Sequence, residues 1–323
     1  MGKRLRLPCR PTARRPPRCR ILSLMSLHDK REFSDPLIDR CAAWMKAQSG
    51  NQEHPSLLYH FTDADGLVGI LNSRNLRASL ITSLNDCSEV QYGIELAEEV
   101  LAERRKTQPS GFQDVALQYV RNPNLKSNTA FEFAPFIVSF CAEEDQSNHW
   151  LHYAQSGKGA ALCFDSDFLA VENVCSLDRV EYSRSKQKEL IVQLFALIES
   201  FRLNAPAKPE WLDAAAGSVF GRFLRFVCAR FKSDHFQMEK EWRLITYEPL
   251  RDDIHMDSEN KTKYRSRAGL VVPYQEIALN QNALRSVVLG YSSEMAEDDL
   301  GLRMLAHSAC PSVTIRRSKV AVR

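Results

Sequence analysis

The apolar residues of this chain fall in short runs, and that limits the fold more than any other feature. Phe136-Ile137-Val138-Ser139-Phe140-Cys141, Ala160-Ala161-Leu162-Cys163-Phe164 and Ser286-Val287-Val288-Leu289 have the length of strands. Between such runs lie stretches with helical spacing, among them Leu67, Ile70 and Leu71, and then Val90, Ile94, Ala97 and Leu101. No apolar run approaches the roughly 20 residues that cross a bilayer, so no membrane partner is expected. With 44% apolar and 26% charged residues, the composition excludes disordered, collagenous and coiled-coil classes.

Along the chain, Leu57–Phe61, Leu76–Ser79, Val180–Tyr182, Trp242–Tyr247, Gly269–Val272 and Val313–Ile315 complete the set of predicted strands. Ser34-Asp35-Pro36 reads as a helix start with Pro in the first turn, and Asp86 with Glu89 as a cap opening another helix. Further helices are expected at His149–Gln155, 186–203, 209–232 and 293–308. Residues 107–130 read as a loop with a weak helix. Strands and helices mix without regular alternation. The fold class is therefore α+β, with a mostly antiparallel sheet and flanking helices. The expected organisation is a basic extension at 1–24, an N-terminal helix at 25–54, and one α+β domain at 55–323 with a helical insertion near 186–232.

Eight of the 43 basic residues lie in 1–28, where no acidic residue occurs, leaving 35 basic against 40 acidic in the body. With Pro8, Pro11, Pro16 and Pro17, that tail cannot bury enough surface to order itself. Three readings stand: a basic arm for nucleic acid, an Arg-rich targeting peptide, or translation that begins at Met25, which is the expectation here. The nine cysteines are scattered and form no C-x-x-C pair, which excludes a disulfide framework and a structural zinc site. A reducing, cytoplasmic location is expected.

No G-x-x-x-x-G-K-[ST] and no G-x-S-x-G occurs, and Gly157-Lys158-Gly159 precedes a strand where a dinucleotide fingerprint would follow one. His149 and His152 share a helix face but lack a third ligand, so no metal is expected. What remains is a set of polar groups beside short apolar strands: His60 and Thr62, Ser139, Trp150 and Tyr153 one helical turn apart, and Glu239, Glu241 and Arg243. On one strand, Glu239 and Glu241 would face the same side and repel unless Lys232, Lys240 or Arg243 compensates. Such a pair suits acid/base work or cation stabilisation. On that reading Glu241→Gln should relieve repulsion and leave folding intact. Each signal also has a plain structural counterpart. Thr62 with Asp65 has capping spacing, Trp150 and Tyr153 suit a core, and Glu241 with Arg243 suits an ion-pair ladder.

Taken in order, Tyr59-His60-Phe61-Thr62, Ser83-Leu84-Asn85-Asp86-x-x-Glu89, Val138-Ser139-Phe140-Cys141, Trp150-x-x-Tyr153-x-x-x-Gly157-x-Gly159 and Lys232 followed by Glu239-x-Glu241-Trp242-Arg243 resemble the bacterial family called domain of unknown function 2971. The resemblance extends through Val287-Val288-Leu289-Gly290 to Val313–Ser318. A strand histidine, a later tyrosine and a late strand glutamate are also similar to the split-sheet ADP-ribosyltransferases. That similarity implies a transferase acting on NAD, in a bacterial conflict or regulatory setting. It places His60 at the ribose, Tyr153 on the nicotinamide, Glu241 at the ribosyl cation and Glu239 toward a macromolecular acceptor, protein or nucleic acid. Thr62, Asn85, Ser139, Trp150 and Arg243, polar groups and an aromatic ring in the same segments, are expected as further NAD contacts. The alternative is a non-catalytic interaction protein, nucleic-acid associated, that keeps the same fold.

Overall fold

The computed structural model describes residues 27–50, 52–83, 88–121, 135–169, 175–205, 211–246, 262–267 and 269–320. The expected basic extension, Asn85 and the Asp86 cap lie outside them. The described strands are β1 (Leu57–Thr62), β2 (Asn75–Leu80), β3 (Phe136–Cys141), β4 (Ala160–Asp165), β5 (Cys175–Arg179), β6 (Glu241–Thr246), β7 (Lys263–Arg267), β8 (Leu270–Ala278), β9 (Leu284–Leu289) and β10 (Thr314–Arg317). The described helices are α1 (Leu27–Gly50), α2 (Ala64–Ser73), α3 (Ser88–Thr107), α4 (Gly111–Arg121), α5 (Ser147–Tyr153), α6 (Arg184–Leu203), α7 (Leu212–Cys228) and α8 (Leu300–Ala309).

Strand order is β10-β9-β4-β1-β3-β2-β8-β7, with β6 on β3 and β5 on β6. Of these pairings only β9 with β10 is parallel, so the architecture is α+β with a mostly antiparallel sheet, as the residue pattern predicts. The sheet forks at β3. One edge of β3 pairs with β6 from Ile137 to Cys141. The other edge meets β1 only at Tyr59 opposite Cys141, and β2 only at Ser79 and Leu80. Between those contacts the Ser139 carbonyl accepts a hydrogen bond from His60 Nδ1 at 2.9 Å. A side chain from β1 thus takes the place of a ladder bond.

Strand alternation sorts the core into layers. Phe136, Val138 and Phe140 of β3 join Trp242 and Leu244 of β6 on the face covered by α2 and α8. Ile137 and Ile245 face the other way, into a helical layer built by α1, α3, α4, α6 and α7. A smaller cluster of Tyr59, Phe61, Cys141, Trp150 and Cys163 lies under α5. The two helices expected as an insertion supply much of the helical layer, through Ile191, Leu194 and Phe195 on α6 and Phe220, Leu224 and Val227 on α7.

Several local expectations change. Pro36 lies inside α1, whose first turn is formed further upstream. The α2 N-cap is Asp63, which accepts from Gly66 N at 2.7 Å, where Thr62 was expected. Val180–Tyr182 makes a single bridge, Glu181 to Phe231, and the strand in that region is β5. Its polar Ser176, Asp178 and Arg179 conceal it in the sequence, and β7 (Lys-Tyr-Arg-Ser-Arg) is hidden for the same reason. Within 107–130, α4 is a full helix with Phe112, Ala116, Leu117 and Val120 buried. The helix expected at 293–308 starts only at Leu300, where Asp299 caps it by accepting from Leu302 N at 2.8 Å.

The Gly157-x-Gly159 spacing has a steric cause. A Cβ on Gly159 would lie 2.1 Å from the Thr62 carbonyl oxygen and 3.1 Å from Asp63 Cα. Both obstacles are backbone at the end of β1 and cannot swing away. Gly159→Ala is therefore expected to destabilise by about 2 kcal/mol or more, read by chemical denaturation. An unchanged midpoint would contradict the close approach.

Candidate active site

The site is assembled where β6 begins. A 3-10 turn at Asp234–Glu239 ends on Lys240, whose φ of 45° is left-handed. This kink breaks the alternation expected for Glu239 and Glu241, because Glu239 stands before the strand and only Glu241 and Arg243 share a β6 face. The two carboxylates still converge. Lys232 Nζ lies 2.6 Å from Glu239 Oε2 and 3.1 Å from Glu241 Oε2. It also lies 3.1 Å from Glu89 Oε1, which reaches in from the first turn of α3.

Arg243 completes the network. It is 1% exposed, donates to Glu241 at 2.8 and 3.0 Å, to Glu89 at 2.5 Å and to the Ala229 carbonyl at 2.8 Å. Tyr182 OH accepts from the Glu241 backbone N–H at 3.0 Å. On the outer side, Tyr153 OH donates to Glu239 Oε1 at 3.3 Å. Three carboxylates and two cations therefore share one enclosure.

Their titration follows from that enclosure. Burial raises the Glu241 carboxyl, but Arg243 and Lys232, with hydrogen bonds from Arg243 and Ser139, overcome it and hold Glu241 well below the usual range. For Glu89 burial wins over Arg243, and the neighbouring Glu241 charge adds to it, so its carboxyl is pushed up. Burial opposes the Lys232 charge, yet Glu241, Glu89, Tyr153 and Glu239 together keep it firmly protonated. Burial drives the Tyr153 phenol well above its ordinary range. His149, on α5 beside Tyr153, is pushed down to about 4 chiefly by burial, and its Nδ1 has no hydrogen-bond partner.

The sequence-predicted residues separate into groups. Glu239, Glu241, Arg243 and Tyr153 come together on Lys232. Ser139 stands opposite Arg243 in the β3–β6 register, its hydroxyl beside Glu241 and its carbonyl bonded to His60. His60 and Thr62 alternate with Tyr59, which pairs with Cys141, so they leave β1 on the side of the sheet away from Glu241. Trp150 is 0% exposed, packs edge-on to Phe61 and donates Nε1 to Asp145 at 3.0 Å. It is a core ring with no face free for a ligand, and Arg243 has no free donor fork to offer one. Asn85 lies outside the described residues. Sequence reasoning missed Glu89, which its spacing disguised as a cap residue. Lys232 was read as a counter-charge and as part of the family motif, and its place at the centre of the network was not foreseen.

Residues 149–244 match the family described as "Protein of unknown function (DUF2971)". That stretch contains His149, Trp150, Tyr153, Lys232, Glu239, Glu241 and Arg243. No curated protein and no solved structure matches the chain.

The network overturns the expectation that Glu241→Gln leaves folding intact, because Glu241 sits between two cations. The substitution should cost about 3 kcal/mol, whereas Glu239→Gln, at the rim, should cost under about 1 kcal/mol, both read by urea denaturation. The buried His149 sets a pH limb of known sign. Its folded pKa lies below the unfolded value near 6.5, so the unfolded chain binds more protons between them. Stability present above pH 6.5 should fall by up to about 3 kcal/mol as pH drops toward 4. His149→Phe should flatten that limb, and an unchanged slope would contradict the assignment.

Proposed function

We propose that the protein breaks the N-glycosidic bond of NAD and passes the ADP-ribosyl group to a macromolecular acceptor or to water, in the manner of a split-sheet ADP-ribosyltransferase. The observation that carries this reading is the position of Ser139. Its carbonyl accepts from His60 in the fork, and its hydroxyl stands beside Glu241. One residue of backbone therefore links imidazole and carboxylates, and because they lie on opposite faces of the sheet, a nucleotide touching both would have to pass through the fork beside Ser139.

The groups suit the step. A carbonyl can only accept, so His60 carries its proton on Nδ1, and burial keeps the ring neutral. Its Nε2 is then an acceptor for a ribose hydroxyl. The bond from C1′ to the nicotinamide nitrogen breaks heterolytically, and nicotinamide leaves with the electron pair. The positive charge left on the ribosyl ring is best met by a fixed carboxylate. The geometry favours Glu239 for that contact, because its side chain is 12% exposed against 6% for Glu241. Glu241 holds Lys232 and Arg243 behind it. The acceptor nucleophile closes the new bond to C1′ and gives up its proton.

A second reading, a non-catalytic interaction protein, is favoured by one observation: Glu241 and Arg243 are sealed in mutual ion pairs. Release of nicotinamide separates the two. The full chain, given NAD with and without mixed protein and nucleic acid as acceptors, should release nicotinamide. Glu239→Gln should lower that rate about a hundredfold, with the melting temperature down by no more than a few degrees. A folded parent that releases none under any of these conditions decides for the interaction protein.

A further inference from the structure

The fork holds a second charged cluster, built on the opposite principle from the first. Arg77 of β2 and Arg265 of β7 both stack on the Tyr274 ring, their guanidinium carbons 5.4 and 6.0 Å from its centroid. Arg77 also lies against α2, within 3.3 Å of where a Gly69 side chain would begin. Arg265 donates to Ser79 Oγ at 2.9 Å, but its buried Nε has no partner. Arg267, two residues along the same β7 face, acts electrostatically on both Arg265 and His60.

Two of the buried arginines are matched by carboxylates: Arg243 by Glu241 and Glu89, and Arg230 by Asp178 at 3.0 Å. No described carboxylate forms an ion pair with Arg77, Arg265 or Arg267. Glu276 stands directly opposite Arg77 in the β2–β8 register, yet it pairs with Lys263 at 2.7 Å. Asp63 is the carboxylate that acts on Arg265 and His60, and it is committed to the α2 N-terminus. Burial and the two neighbouring guanidiniums all work against the Arg265 charge. Clustering like charges in this way is unfavourable unless an anion completes the set.

We propose that Arg77, Arg265 and Arg267 form a phosphate-binding site at the fork of the sheet, whose ligand is a small molecule carrying a diphosphate diester. Three guanidiniums against Asp63 leave two positive charges in excess, which equals the charge of such a diester. His60 adjoins the site with its free Nε2, where a sugar on the diphosphate would lie. The site itself stands on geometry; only the naming of NAD as its occupant rests on the reading above.

Calorimetric titration of the full chain with inorganic pyrophosphate, and separately with ADP-ribose, tests the proposal. Both probes should bind, and Arg265→Gln and Arg77→Gln should each weaken both at least tenfold without lowering the melting temperature. In Arg265→Gln the His60 pKa, followed by NMR, should rise, because burial, Arg265 and Arg267 press it down against the Ser139 hydrogen bond and Asp63, and the substitution removes one of the lowering charges. A parent that binds neither probe, or variants that bind as the parent does, would overturn the site. Pyrophosphate binding without ADP-ribose binding would overturn the diester ligand. Binding of both probes with no nicotinamide release would leave this site standing and end the enzyme reading.

Discussion

A guanidinium that leaves water must find its full charge and hydrogen-bond complement inside the protein, and Arg243 leaves water almost entirely. Its partners come from three places in the chain: Glu241 on its own strand, Glu89 at the start of α3, and the Ala229 carbonyl just past α7. Satisfying one side chain therefore brings β6, α3 and α7 to a common point. The β3–β6 register sets Ser139 opposite it, and Ser139 is where the fork meets the network. Lys232 extends the arrangement, since its backbone carbonyl accepts from the buried Gln187 of α6 at 2.9 Å and Gln187 accepts in turn from Tyr92 of α3 at 2.7 Å. A second buried pair, Arg230 with Asp178, ties β5 to α1 through Ser49 at 2.8 Å.

The two charged clusters differ in the way that separates structure from binding. Around Arg243 every cation faces a carboxylate, so the enclosure is rigid, and only Glu239 with Tyr153 reaches its rim. Around Arg265 cation faces cation, on β2 and β7 at the fork side of the sheet. His60 lies between the two, bonded to Ser139 on one side and kept neutral by burial, to which the Arg265 and Arg267 charges add. A ligand that spans both would be held at its phosphates and worked on at its sugar.

Much of the architecture was legible because the strands that carry the core, β1, β3, β4, β6 and β9, are apolar runs with the right period. β5 and β7 were not, because their residues are chosen for charge partners or for exposure, and neither leaves an alternating apolar trace. At the site, residue types and order pointed to Glu239, Glu241 and Tyr153, but their geometry was misread. A left-handed Lys240 broke the strand pattern, and the sheet put His60 on the other face. Glu89 was invisible because capping and ion pairing use the same residue at the same position, and only its reach to Arg243 and Lys232 distinguishes them. Arg77 and Arg265 lie far apart in the chain, and only the β2–β8–β7 pairing brings them to one tyrosine ring.

The central claim is that the buried ion network acts as one unit that clasps the helical layer to the sheet. A double-mutant cycle on Glu89 and Lys232, which meet at 3.1 Å from opposite sides of the enclosure, measures that most directly. Unfolding free energies of Glu89→Gln, Lys232→Met and the double variant should show a coupling of at least about 1.5 kcal/mol. Effects that add to within about 0.5 kcal/mol would contradict the account, since the two groups would then be stabilised independently.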